Sequence, residues 1–475
     1  MTLPETGRPA DDVLADARAY IADDADYRNG RTWSMVYWPG DEHHALTEAA
    51  NNLCLSQNAL NPIAFKGIKR METEVVQMCA DLLHGDDKTV GTMTSGGTES
   101  LLLCVKTYRD RARKKWPWIR RPVIVAPQTI HPAFNKAAHL FGVRLRTVPV
   151  DEHGRIEVRA MRKAICRNTV MLAASAPQYV TGVVDPIPEI AAIARDKRLP
   201  MHVDACFGGF ILPWLERLGV QMPRWDFRVP GVTSISADLH KYGYAPKGSS
   251  VLLFTEMSYL RHQFFASTDW PGGIYISPGI PGTRPGGPIA AAWASLLGMG
   301  VDGYLERAQG AWDAAEALRT GIRAIDGLRV LGDPMSTIVT WSNSDRAVNV
   351  YAVADQLQAK GWGVDRQQNP SSVHCTCNAA NLETVPLYLA DLAEAVAHVR
   401  AHPELAREGD AAVYGLMSRV PVRGMVKNAV LDVMEQMYDP DGGGQPDLDG
   451  DDPVQKWATK ALDAVDRVKA RLGRA

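Results

Sequence analysis

The sequence predicts an α/β protein: a mostly parallel sheet in a large domain, followed by a smaller α+β C-terminal domain. Between residues 123 and 206 short apolar β-type runs alternate with helical patterns, and such alternation builds a parallel sheet covered by helices on both faces. After residue 325 the chain resumes short β runs with helices among them, which reads as a separate lobe. With 475 residues, 46% of them hydrophobic and 22% charged, the chain can bury a large core without disulfides or metal.

In chain order, residues 11–25 read as a short acidic amphipathic helix and residues 30–40 as an aromatic strap bounded by glycines. Asn58-Ala59-Leu60-Asn61-Pro62 is a turn, because a residue before proline is pushed out of the helical region. Met71, Val75, Cys79 and Leu82 recur at helical spacing, and Gly85 stops that helix. Met93-Thr94-Ser95-Gly96-Gly97-Thr98-Glu99-Ser100 then runs into a helix with an apolar stripe of Leu101, Cys104, Val105, Tyr108 and Ala112. Glycines at a helix start let the backbone approach a ligand closely, and the unpaired N–H groups there attract an anion. The same pattern also suits an ordinary N-cap.

The β runs at 123–126, 144–148, 170–173 and 201–204 are separated by helices at 132–141, 158–166 and 187–195. Two further β runs, 232–235 and 251–254, flank a polar turn. Residues 268–288 are rich in Gly and Pro and read as a long ordered loop of the kind that is often functional. Helices follow at 289–297 and 302–325, and the small lobe has β runs at 328–331, 337–341 and 373–376 with helices at 349–360 and 386–400. Residues 439–452 form an acidic glycine-rich linker before a last helix at 454–472. Gly450 stands where a calcium loop needs its bidentate Glu, so a linker is the better reading. The expected division is an N-terminal segment 1–60 packing on a partner subunit, a large domain 61–315, a small domain 316–437, and the linker with its helix, 438–475.

Charge excludes some partners. With 52 basic and 54 acidic residues the net charge is −2, which offers no electrostatic footprint for nucleic acid or an anionic membrane. Seven scattered cysteines, an odd number, point to reduced thiols and a cytoplasmic protein. His374-Cys375-Thr376-Cys377 lacks a second ligand pair at zinc spacing, so no metal site is expected and the cluster reads as a strand. No apolar run approaches the ~18 residues of a membrane span, and the N-terminus has neither a basic nor an apolar stretch, so a soluble, unexported chain is expected.

The polar turn between residues 236 and 250 carries the chemistry. A lysine at a strand end in a partly dry pocket is costly to keep charged, and its freed amine can condense with an aldehyde as a Schiff base. Lys241 occupies such a place, and an aldehyde held by lysine points to pyridoxal 5'-phosphate. Taken alone, the turn reads more simply as a solvated surface turn. That cofactor, however, also needs a carboxylate at its pyridine nitrogen, a helix N-terminus at its phosphate and a flat group against its ring. Asp204 supplies the first, Gly96, Gly97 and Thr98 the second, and His131 the third; His131, Gln178, Asp204 and Lys241 all fall at or just after strand ends.

Thr94 to Ser100, His202-Val203-Asp204-Ala205-Cys206-Phe207-Gly208-Gly209, Ser236 to Ser250, and Asp269-Trp270 through Arg284-Pro285-Gly286-Gly287 together resemble the motifs of the pyridoxal-phosphate-dependent group II decarboxylases, and within them the sphingosine-1-phosphate lyases. The resemblance covers residues 30–437. It implies a fold-type-I enzyme with a seven-stranded-type sheet, a homodimer with shared active sites, and pyridoxal phosphate on Lys241 with His131 stacked on the ring and Asp204 at the pyridinium nitrogen. Gly97, Thr98, Ser236 and His240 would serve the cofactor, with Thr283 of the partner subunit adding a hydroxyl. Tyr37 and Lys247 match positions that hold a substrate phosphate, and Tyr179 lines the same mouth. One departure stands out: the family pattern has a histidine where this chain has Asn61, an uncharged donor that binds phosphate less strongly.

The activity implied is a retro-aldol carbon–carbon lyase acting on a phosphorylated long-chain base such as sphingosine 1-phosphate, giving a fatty aldehyde and phosphoethanolamine. Two other readings stay open on sequence: an amino-acid decarboxylase with the same cofactor apparatus, since sequence does not report which bond is aligned with the ring, and a catalytically idle binding homologue.

Overall fold

The computed structural model describes residues 2–419 and 423–439. The linker from residue 440 onward and the helix expected at 454–472 lie outside them.

The large lobe is built on seven strands: β1 Val90–Thr94, β2 Val123–Pro127, β3 Arg144–Val148, β4 Thr169–Ser175, β5 Met201–Asp204, β6 Ser234–Ala237 and β7 Ser250–Phe254. They lie in the order β1-β7-β6-β5-β4-β2-β3. All pairs from β6 across to β3 are parallel, whereas β7 runs antiparallel to both β6 and β1. Because β7 opposes both neighbours, β1 points the same way as β6. The chain leaving β1, β2, β4, β5 and β6 therefore emerges at one edge, where ligands of open α/β sheets bind.

Side chains alternate along each strand, and both faces are covered. Val125 and Leu172 face a core shared with Val75, Ile190 and Trp214, while Ile124 and Met171 face a second core with Leu101 and Phe134. The first face is packed by helices α3 Lys66–Leu82, α7 Ile187–Asp196 and α8 Leu212–Arg217, and the second by α4 Gly97–Lys115 and α5 Ala133–Phe141. Earlier in the chain come α1 Ala10–Tyr20 and α2 Asp41–Leu53, and α6 is Val158–Ala164. After β7 the chain forms α9 Met257–Leu260 and a hairpin of β8 Phe265–Ser267 with β9 Tyr275–Ser277. The helices expected at 289–297 and 302–325 join as α10, Gly286–Ala324, bent at Gly300, whose φ of 60° with ψ of −179° only glycine adopts cheaply.

The small lobe is an antiparallel sheet, β10 Leu328–Val330, β11 Ile338–Asn343, β12 Asp365–Gln367 and β13 Ser372–Thr376, in the order β10-β11-β13-β12. Helices α11 Val350–Ala359 and α12 Val385–Ala401 cover it, and α13 Gly409–Arg419 and α14 Arg423–Tyr438 follow. The His374 and Cys375 cluster is indeed strand, part of β13.

The N-terminal segment is tied to its own chain over part of its length. Trp33 is buried in the small-lobe core, stacked 6.1 Å from Trp362 and edge-on to Tyr388 at 4.7 Å. Helix α2 lies along α10, with His43 Nε2 2.9 Å from Ser295 Oγ. By contrast, α1 buries no residue. Tyr242, in the turn after β6, reaches across to the small lobe: its hydroxyl pairs with Thr337 Oγ1 and donates to the Cys377 carbonyl at 2.5 Å. Thr340 Oγ1 of β11 donates back to Val180 O at 2.7 Å.

Candidate active site

A cavity of about 340 Å³ opens at the edge where β1, β2, β4, β5 and β6 end, and Gly96, Gly97, Thr98, His131, Asp204, His240 and Lys241 all line it. The sequence places them far apart; the strand order brings them together.

The start of α4 forms the cradle. Gly96 has φ of 153°, and a Cβ on Gly97 would stand 2.8 Å from Asp238 Oδ2 and 2.9 Å from Cys206 Sγ. Only glycine lets the helix begin so close to the lysine turn. No side chain caps the N-terminus of α4, so its amides are left for an anion. Glu99 fixes the approach instead. Its carboxylate accepts the Ser95 N–H and hydroxyl, both at 2.7 Å, and on its other side the Ile280 N–H at 2.9 Å.

His131 follows β2, and its Nδ1 accepts the Ala133 N–H at 3.2 Å, which sets the ring at the start of α5. Asp204 ends β5, buried, with Oδ1 accepting the Cys206 N–H at 3.1 Å. His240 lies against the cradle, since a Cβ on Gly96 would stand 3.4 Å from its Cε1. Its Nδ1 makes no hydrogen bond within the protein.

Lys241 corrects one expectation. Burial alone lowers its proton affinity, as the sequence reading anticipates, but Asp238 Oδ2 lies 3.0 Å from Nζ and reverses the sign, so the ammonium is held well above the ordinary lysine range. The free amine is therefore not a product of a dry pocket. Asp238 itself, buried, is held below the usual carboxyl range: burial pushes it up, and Lys241 and His240 outweigh that.

The remaining predicted residues divide. Tyr179 lines the cavity, stacked on His374 at 4.1 Å with its hydroxyl 3.2 Å from Asp365 Oδ2. Tyr37 packs edge-on against Tyr242 at 4.7 Å and senses the Lys241 charge, although burial raises its phenol. Lys247 Nζ donates to Met35 O at 2.5 Å and to His240 O at 3.3 Å, and sits 5.7 Å from the Tyr37 ring centroid.

Ser236, Asn61 and Thr283 do not face this cavity within the chain. Ser236 lies outside the cavity lining, on β6 beside Asp204, where its hydroxyl bonds His202 Nε2 at 3.2 Å and Cys206 Sγ at 3.2 Å. Asn61 is exposed and uses Oδ1 to accept the N–H groups of Ile63 and Ala64, at 3.2 and 3.1 Å, as a turn cap. Thr283 is exposed on the loop after β9. That loop is anchored by Arg284, which enters a buried ion pair with Glu72 at 2.5 Å and donates to Met93 O at 3.1 Å.

Sequence reasoning missed Asp238, Glu99 and Glu72. Asp238 stands three residues before Lys241, the i,i+3 spacing at which opposite charges meet in a turn, and that spacing is the signal it offered.

The donor set fits pyridoxal phosphate. A lysine, a buried carboxylate and an uncapped helix N-terminus with an unsatisfied imidazole nitrogen beside it converge on one cavity. Residues 2–342 match the pyridoxal-dependent decarboxylase conserved domain. A sphingosine-1-phosphate lyase of Dictyostelium discoideum is 39% identical over 93% of this chain and 83% of its own, and sphingosine-1-phosphate lyase 1 of Rattus norvegicus is 40% identical over 93% and 77%. The solved sphingosine-1-phosphate lyase of Burkholderia pseudomallei superposes with a TM-score of 0.84 at 37% identity, covering 93% of this chain and 97% of that one. Glutamate decarboxylase of Lactobacillus brevis, at 20% identity and a TM-score of 0.74 over 84% and 95%, shares the fold.

Proposed function

The chain belongs to the pyridoxal-dependent decarboxylase family and, within it, to the sphingosine-1-phosphate lyases, and from that premise we propose what each of its site residues does. It is a pyridoxal 5'-phosphate-dependent lyase that cleaves a phosphorylated long-chain base by retro-aldol chemistry, releasing a fatty aldehyde and phosphoethanolamine. The observation that supports the residue roles is the meeting of Lys241, Asp204, His131 and the α4 N-terminus in a single cavity.

When bound, the cofactor supplies a protonated ring that takes up the electron pair left as the carbon–carbon bond breaks. Asp204, buried at the end of β5, would keep the ring nitrogen protonated. His131 would pack on the ring, while the amides of Gly97 and Thr98 and the His240 imidazole would hold the phosphate. Lys241 would carry the cofactor at rest, and its amine, once free, would take the proton of the substrate's 3-hydroxyl and return it to the amino-bearing carbon, a transfer that needs only hydrogen-bond reach.

Lys247 and Tyr37 hold the substrate phosphate at the cavity mouth, with Tyr179 forming the wall beside them. Lys247 suits this: burial and the neighbouring Lys241 charge lower its proton affinity, so a dianion gains from pairing with it. The enzyme works as a cytoplasmic homodimer in which Thr283 of the partner subunit completes the site. Support comes from the exposure of that loop, from the free thiols of all seven cysteines, and from the finding that among the described residues no helix is long and apolar enough to cross a membrane.

Incubation with sphingosine 1-phosphate, followed by mass analysis, tests the reading. A fatty aldehyde with phosphoethanolamine is expected, together with loss of turnover and of the cofactor's visible absorption band in Lys241→Ala. Full turnover in that variant would end the assignment of Lys241.

A further inference from the structure

Asp238 is buried, 3% exposed, yet it is a carboxylate. Removing such a group from water costs several kcal/mol unless charged partners offset it. Its backbone is fixed on both sides: its N–H donates to Cys206 O at 3.2 Å, and its carbonyl accepts the Lys241 N–H at 3.3 Å. Oδ2 lies 3.0 Å from Lys241 Nζ and 3.6 Å from His240 Nε2, so the same oxygen faces both side chains. Oδ1 makes no hydrogen bond within the protein and faces the position where Gly97 lacks a Cβ.

The groups around Lys241 come from four places, one of them Tyr179 after β4, whose phenol burial raises. Cys206 follows β5, Tyr37 belongs to the N-terminal strap, and Asp238, His240 and Lys247 share its own turn. Cys206 and Tyr37 are neutral near pH 7 because burial raises both. Asp238 is therefore the anion against which the lysine is held.

We infer that Asp238 is the counter-ion of Lys241, a positioning residue that stabilises the ammonium form of Nζ whenever that nitrogen takes up a proton. The consequence for turnover rests on the shuttle proposed above. The 3-hydroxyl proton moves to Nζ, the resulting ammonium pairs with Oδ2, and the same proton passes to the amino-bearing carbon, restoring the amine lone pair with no net gain or loss. Without Asp238 the charged halfway state has no partner in a buried site.

Asp238→Asn keeps the shape and removes the charge. In the holoenzyme the pH midpoint of the visible absorption band should fall by at least about one unit, the effect of losing an opposite charge within 4 Å. In the full chain stripped of cofactor, reductive methylation of Lys241 with formaldehyde and cyanoborohydride, read by peptide mass, should show its pH midpoint displaced downward by a similar amount, with the exposed Lys88 as internal reference. Midpoints that do not move overturn the inference. If circular dichroism shows the variant unfolded, the wild-type chain decides, because Lys241 must label with a higher midpoint than Lys88, and an equal or lower one overturns it. Neither readout involves lyase products, so failure to cleave sphingosine 1-phosphate and failure of this inference are told apart.

Discussion

Glu99 Oε1 accepts the amide of Ile280 at 2.9 Å, while Oε2 holds Ser95 at the mouth of the glycine cradle. One carboxylate thus binds the N-terminal end of α4 to the loop that carries Thr283. Glu99→Ala should weaken cofactor retention by roughly 10–100-fold, the loss of charge-assisted hydrogen bonds of about 1.5–3 kcal/mol. Fluorescence titration of cofactor-free protein checks this, and an unchanged dissociation constant would remove the clamp from the cradle's account.

Asp204→Ala separates chemistry from binding. The turnover number should drop by about a hundredfold or more, the range seen when a transition-state charge partner is removed, while cofactor affinity changes far less. Parallel steady-state assays and cofactor titrations decide, and a turnover number equal to wild type would deny Asp204 its electron-sink role.

Lys247→Ala should raise KM for the phosphorylated base by roughly tenfold or more, as expected for a lost charge-assisted contact. An unphosphorylated base, tested alongside, should show no such change. Because Lys247 also holds the Met35 carbonyl, equal losses with both substrates would point to a disturbed N-terminal strap instead of a phosphate contact.

The Glu72 and Arg284 pair predicts an acid limb in stability. Burial raises the Glu72 carboxyl, but the Arg284 charge and hydrogen bonds, with Lys69, overcome it and leave the folded pKa below the usual value. A depressed folded pKa stabilises above the unfolded carboxyl value, about 4.3, and the benefit disappears as pH falls through the folded one. Arg284→Ala should cost about 3–5 kcal/mol near neutrality, as for breaking one side of a buried pair. Denaturant melts should show the gap between variant and wild type closing below about pH 4. A gap of constant size across that range would mean that packing, not charge, accounts for it.

Much of this was readable in advance, for identifiable reasons. The strand-helix alternation from residue 123 gave β2, β4 and β5 because these strands are buried on both faces and read as apolar runs, and it gave the more exposed edge strand β3 by its place between two helices. Strand β1 was not legible, since Val90-Gly91-Thr92-Met93-Thr94 has a glycine at its second position, and Gly91 is required there because a Cβ would meet the Leu252 carbonyl at 2.4 Å. Helix α2 escaped because it is polar and buries only Thr47. Within the site, Lys241, Asp204 and His131 were legible as strand-end residues. Motif membership does not reveal that the Ser236 hydroxyl is engaged by His202 and Cys206. Asp238 was passed over because its effect is electrostatic and depends on burial that the sequence does not display.

The Tyr242 hydroxyl, bonded to Thr337 and the Cys377 carbonyl, has a thermal corollary. It ties the turn that bears Lys241 to the residues just before β11 and just after β13, with Thr340 returning a bond to Val180. Heat cannot release one lobe while sparing the other without exposing these buried hydroxyls, so calorimetry should record a single melting endotherm. Replacing Tyr242 by Phe should split it in two.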